Sequence, residues 1–90
     1  MSLNTYRDEA GEFLKMIEAD DISLDSKIAM LEKELNILKS SINKPNKFNH
    51  QIYDMLFLLF EIASETNFDI DTEWNFGRAR KQEKYINTYR

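Results

Sequence analysis

Ten of the twelve residues at positions 52–63 are apolar, the exceptions being Asp54 and Glu61. Side chains distributed in this way cover most of a helix circumference, and such a helix normally sits at the centre of a bundle. Ninety residues make one core. Two glycines and a single proline, Pro45, leave too few turn residues for an all-β fold or for a glycine-rich phosphate loop. A domain this short buries only about 60–65% of its unfolded surface. With no cysteine, disulfides, thiolate metal sites and cysteine nucleophiles are excluded. The expected fold is therefore an all-α, four-helix bundle-like domain over residues 1–90, completed by oligomerisation, with Met1-Ser2-Leu3 read as an expression remnant.

Helical spacing of Tyr6, Ala10, Phe13, Leu14 and Ile17 predicts a first helix over residues 4–19. A second starts at Ser23 or Asp25, either of which can cap free backbone N–H groups, and runs to Ile42. Its residues Ile28, Leu31, Leu35, Leu38 and Ile42 form a narrow seam with alternating steps of three and four, suited to a helix hairpin or a subunit contact. Asn43-Lys44-Pro45-Asn46-Lys47 reads as a loop. The apolar helix then covers residues 49–66, with Gln51, Asp54, Glu61 and Glu65 on its narrow polar face. A fourth helix begins near Asp71 and passes Trp74 and Phe76, expected in the core or an interface, before bending or fraying at Gly77.

Net charge is −4, which argues against a non-specific nucleic-acid binder. The charge is uneven: residues 49–73 hold six acids and no Lys or Arg, whereas residues 77–90 hold five bases and only Glu83. No segment approaches the roughly 18–20 consecutive apolar residues that span a bilayer, and no signal-peptide pattern opens the chain, so a cytoplasmic protein without membrane association is expected. His50 is read as a cap or surface residue, and one histidine without a supporting motif gives no nucleophile arrangement.

Glu9 and Glu12 lie three residues apart and so on neighbouring positions of one helix surface, as do Gln51 and Asp54. If the first and third helices pack together, these four side chains converge into an oxygen-rich pocket of the kind that hard cations such as Mg²⁺ or Mn²⁺ take alongside phosphates. Arg78, Lys81 and Lys84 share a helix face that suits a triphosphate.

Asp8-Glu9-Ala10-Gly11-Glu12-Phe13-Leu14 resembles the Glu-Glu-x-Gly-Glu-Leu segment of the MazG-like all-α nucleoside triphosphate pyrophosphohydrolases. Asp54-Met55-Leu56-Phe57-Leu58-Leu59 and the following Asn67-Phe68-Asp69-Ile70-Asp71 resemble the family's Asp-x-Leu-Phe helix and Gly-Ile-Asp-Leu loop. Lys81-Gln82-Glu83-Lys84-Tyr85 resembles its closing Lys-x-x-Lys/Arg-Tyr. The resemblance implies a helical homodimer or homotetramer that hydrolyses nucleoside triphosphates to monophosphate and pyrophosphate with Mg²⁺, with Glu9, Glu12 and Asp54 as catalytic metal ligands. Gln51 stands where the family's Glu-x-x-Asp motif has glutamate; an amide oxygen can coordinate a cation but adds no charge, so metal affinity and activity should fall. A second alignment puts Lys33-Glu34-Leu35-Asn36-Ile37-Leu38 on the first motif and keeps only Glu34 and Asp54 as acids. The first is preferred because it preserves both glutamates and Gly11, although 38 residues then separate Glu12 from Gln51. The alternative function is a non-enzymatic helical interaction protein, immunity- or antitoxin-like, that uses the second helix's seam.

Overall fold

A computed structural model describes residues 2–87 and the side chains of residues 2–86. Met1 of the expected remnant and Arg90 of the basic tail lie outside the described residues. Four α-helices follow one another, α1 (Leu3–Met16), α2 (Leu24–Ser40), α3 (Pro45–Glu65) and α4 (Ile70–Lys81), and a π-helical stretch Gln82–Asn87 continues α4. The fold is all-α, as the sequence predicts. Among the described residues no helix is long and apolar enough to cross a membrane.

Each helix end has a local cause. The hydroxyls of Ser2 and Ser23 accept the backbone N–H of Thr5 and Ser26, capping α1 and α2. Glu18 and Asn67 adopt left-handed φ of 58° and 53°, and in each case the next residue's N–H reaches back five positions: Ala19 to Leu14 O at 2.8 Å, Phe68 to Ala63 O at 2.9 Å. These bonds close α1 and α3 in the manner usual for a left-handed helix terminus.

Pro45 belongs to α3 and not to a loop. It occupies the first helical turn, where its missing N–H has no intrahelical acceptor to lose and its fixed φ suits the helix, so α3 starts one turn before the predicted position. The helix α4 also begins ahead of Asp71, because Asp69 caps it. It runs through Gly77 without a break.

The central position expected of the apolar helix is found: α1 packs on one side of α3 and α2 on another. Lys27 pairs with Glu65 near one end of the α2–α3 contact, while Glu34 meets Gln51 toward the other, so the two helices form an antiparallel hairpin. Against α1, α3 presents Phe60 to Tyr6, with ring centroids 5.9 Å apart, and Phe57 to Phe13, edge-on at 5.4 Å. The backbones approach closely at Gly11, where a methyl group would overlap the Ser64 hydroxyl and lie 3.2 Å from Ser64 Cβ.

The core is thin. Ala10, Leu14, Leu58 and Ala63 are its buried apolar residues, joined by buried Lys27, Ser41 and Gln51. Trp74 and Phe76, expected in the core or an interface, lie outside the core of the chain at 61% and 62% exposed, because α4 touches the bundle mainly through the start of α1. There the Asp71 carboxylate accepts the Leu3 and Asn4 backbone N–H groups, Asn4 bonds Asp69 and the Ile70 N–H, and Arg7 donates to Phe68 O. Hydrogen bonds from Asn4 and Thr72 hold the Asp69 carboxyl down to about 2.

Candidate functional site

The polar strip of α3 divides in two. Gln51 and Glu65 turn toward α2, whereas Asp54 and Glu61, seven residues apart, line a cleft of about 420 Å³ with Phe13 of α1, Met30 and Glu34 of α2, and Tyr53, Phe57 and Leu58. Carboxylates and aromatic rings therefore share one opening. Phe57 stands between the other rings, edge-on to Phe13 and 6.1 Å from Tyr53 by centroids.

Glu34 and Gln51 are directly joined. The Gln51 side-chain amide donates to the Glu34 backbone carbonyl at 3.0 Å and to the Glu34 carboxylate. Both ends of this contact are satisfied within the protein. Had Gln51 been glutamate, two carboxylates would meet here and repel unless a cation or a proton came between them. The neutral amide removes that requirement. Asp54 has a different neighbour, His50 Nε2 at 3.3 Å, on the exposed turn before it.

Glu61 stands beside the interior. Burial pushes its carboxyl above the usual carboxylate range, and the Lys27 charge partly opposes this. Lys27 is 2% exposed and sits 3.2 Å from Glu65 Oε1. Its aliphatic stem fills the α2–α3 contact while its ammonium reaches the carboxylate at the edge.

The sequence-derived candidates are distributed over three places. Asp54 is in the cleft, with Gln51 buried behind it. Glu9 lies in a separate apolar depression with Leu3, Tyr6, Tyr53, Leu56, Phe57 and Phe60, and Glu12 is exposed, 3.9 Å from Lys15. Arg78 and Lys81 line a groove along α4 with Phe68, Ile70, Glu73, Trp74 and Gly77, and the Lys84 ammonium lies 5.1 Å from the Tyr85 ring centroid. Asp54 thus shares its cleft with Glu34, the acid of the second alignment, and with Glu61, while Glu9 and Glu12 lie outside its lining. In the sequence Glu61 is marked only as one member of the polar strip, and its seven-residue spacing from Asp54 is the signal that relates the two.

Among the described residues no group of three or more His, Cys, Asp and Glu side chains is placed to hold an ion. The Glu34 carboxylate is already engaged by an amide hydrogen bond. What remains is a pair of carboxylates, Asp54 and Glu61, beside aromatic faces, an arrangement able to bind a ligand that carries both a flat ring and hydrogen-bond donors or its own cation. Compared with models of known protein families, with curated proteins and with solved structures, the chain gives no match.

Proposed function

We propose that the chain is a nucleotide-binding, homo-oligomeric domain of the nucleoside triphosphate pyrophosphohydrolase type, with weak conversion of triphosphate to monophosphate and pyrophosphate. One observation carries this reading: Glu34, Asp54 and Glu61 share a single cleft with Phe13, Tyr53 and Phe57. The rings offer faces on which a nucleobase stacks. The carboxylates suit a ligand whose phosphates bring Mg²⁺ with them, since that ion keeps most of its ligands from water and phosphate. Gln51 is the reason for weak turnover, because it takes up Glu34 without supplying charge.

Pyrophosphate release from a nucleotide panel with Mg²⁺ or Mn²⁺, together with calorimetric binding, tests the proposal. Gln51→Glu should raise cation-dependent turnover at least tenfold, and Asp54→Asn should abolish it. If neither the wild type nor Gln51→Glu binds any nucleotide with either cation, the proposal fails. The alternative, a non-enzymatic helical interaction protein, is favoured by a different observation: Ile28, Leu35 and Ile42 of the α2 seam remain exposed. Such a protein would bind its partner without nucleotide or metal.

A further inference from the structure

The two sides of the α2–α3 hairpin differ in chemistry. On α2, residues 27 and 34 are buried or half-buried toward α3, as is Ser41 at the cap that ends the helix, and on α3, residues 51, 58 and 65 lie on the side that meets α2. With about 100° between successive helical residues, and with the helices antiparallel, Met30, His50, Asp54 and Glu61 fall on the side of the acidic cleft. Ile28 and Leu35 of α2 fall on the opposite side with Ile52, Leu56 and Leu59 of α3, and Ile42 stands exposed in the turn just past the end of α2. These six aliphatic side chains are 42–67% exposed. Since α1 packs against Phe57 and Phe60, it leaves that row open.

The chain also exposes more surface than one closed domain would. Its accessible area is 7034 Å² for 10.7 kDa, against about 5,500 Å² from the mass scaling of monomeric proteins. The excess, about 1,500 Å² per chain, is shared between this row and the exposed face of α4 with Trp74 and Phe76; burying about half of it on each copy of a symmetric pair gives about 1,500 Å² in total, the size of a standard stable interface. The radius of gyration agrees: 15.7 Å, where a closed domain of this length has about 12 Å.

We infer that this aliphatic row is the surface through which two copies of the chain associate, joining two α2–α3 hairpins into a four-helix bundle. The row is self-complementary. Ile28 and Ile42 each stand seven residues from Leu35, and Glu32 and Lys39 flank the same row at positions nearly equidistant from Leu35. A two-fold axis beside Leu35 sets Ile28 of one copy against Ile42 of the other and Glu32 of one against Lys39 of the other, an isologous contact with matched charges at its rim. The acidic clefts then face outward on both copies. This inference rests on the self-association within the proposed function and not on its nucleotide chemistry.

Size-exclusion chromatography with light scattering, run without nucleotide, should give a mass twice the chain's 10.7 kDa at tens of micromolar. Leu35→Glu should raise the dissociation constant at least a hundredfold. Because that variant can also lose its fold, the exposed rim supplies a second measurement. Glu32→Lys and Lys39→Glu should each weaken the dimer roughly three- to tenfold, and the two together should restore it. A wild-type monomer overturns the inference and gives the face to a different protein. So does a dimer whose dissociation constant is unmoved by Leu35→Glu or whose rim reversals fail to compensate. A dimer that binds no nucleotide leaves this inference standing while the nucleotide reading falls, and a nucleotide-binding monomer does the reverse.

Discussion

Replacing Lys27 with alanine removes three methylenes and an ammonium from the α2–α3 contact. Lys27 is 2% exposed, so the methylenes are lost from a buried position. At about 0.8 kcal/mol per buried methylene, their removal costs about 2.4 kcal/mol before any cavity is counted. The charge contributes less. Its partner Glu65 has a side chain 33% exposed, so the ion pair, discounted for solvent, adds on the order of 1 kcal/mol or less. Desolvation of the ammonium opposes even that. Lys27→Ala should therefore lower stability by roughly 2–3 kcal/mol, and Lys27→Met, which preserves the volume of the stem, by less than about 1 kcal/mol. In a domain of this size 1 kcal/mol moves the melting temperature by about 4–8 °C, so the alanine variant should melt roughly 10–20 °C below wild type. Thermal and urea melts at one fixed protein concentration read this difference, because the proposed association would make the midpoint depend on concentration. A methionine variant that falls as far as the alanine variant would show that the charge, and not the stem, governs the contact. A silent alanine variant would refute the burial of Lys27 altogether.

Gly11→Ala should destabilise by about 1–2 kcal/mol in urea melts despite the better helix propensity of alanine, and adding Ser64→Ala should recover most of the loss, since the Ser64 hydroxyl is what the new methyl meets. No recovery would place the strain elsewhere. Asp69→Ala should lower the melting temperature at pH 7 by an amount that shrinks as pH falls toward 2. The folded carboxyl titrates near 2, below its unfolded value of 3.8, so its stabilisation is present above 3.8 and lost on acidification. A pH-independent difference would contradict the hydrogen-bonded assignment. Glu61 has the opposite sign: its folded pKa lies above 4.5, so its ionised form opposes folding as pH rises past that value. Glu61→Gln should accordingly gain stability over wild type at neutral pH and not at pH 3; equal effects at both would rule out the burial account.

Helical periodicity is a local property, and what depends on it was readable. The run around Met55–Phe60 marks α3 as the central helix, and the Ser23 cap of α2 needs only short spacing to recognise. Pro45 is harder, because a proline is compatible with a loop or with a first helical turn, and the choice depends on what packs beyond it. Spacing shows the seam of the second helix but not its rotation. Leu31 and Leu38 turn partly inward while Ile28, Leu35 and Ile42 stay outside, and Lys27, a residue no apolar pattern includes, fills the contact. The site was harder still. Glu9 and Glu12 satisfy a helix-surface rule and a family pattern, yet which acids meet Asp54 depends on the crossing of α1 over α3. That crossing is set by Gly11 and Ser64, residues without chemistry of their own. Glu34 comes to Gln51 through a hairpin whose register the intervening turn determines, and spacing alone could not choose between it and Glu12.

The junction where α1 and α4 begin has an electrostatic consequence. Two helix starts meet there, and each carries roughly half a positive charge from its aligned peptide dipoles. Left to themselves the two ends would repel. Asp71, bonded to the first N–H groups of α1 while lying in the first turn of α4, and Asp69, the cap of α4, stand between them as a shared counter-charge. Neutralising either aspartate therefore acts on two helices at once, and raised ionic strength should loosen α4 from α1 before it disturbs the hairpin.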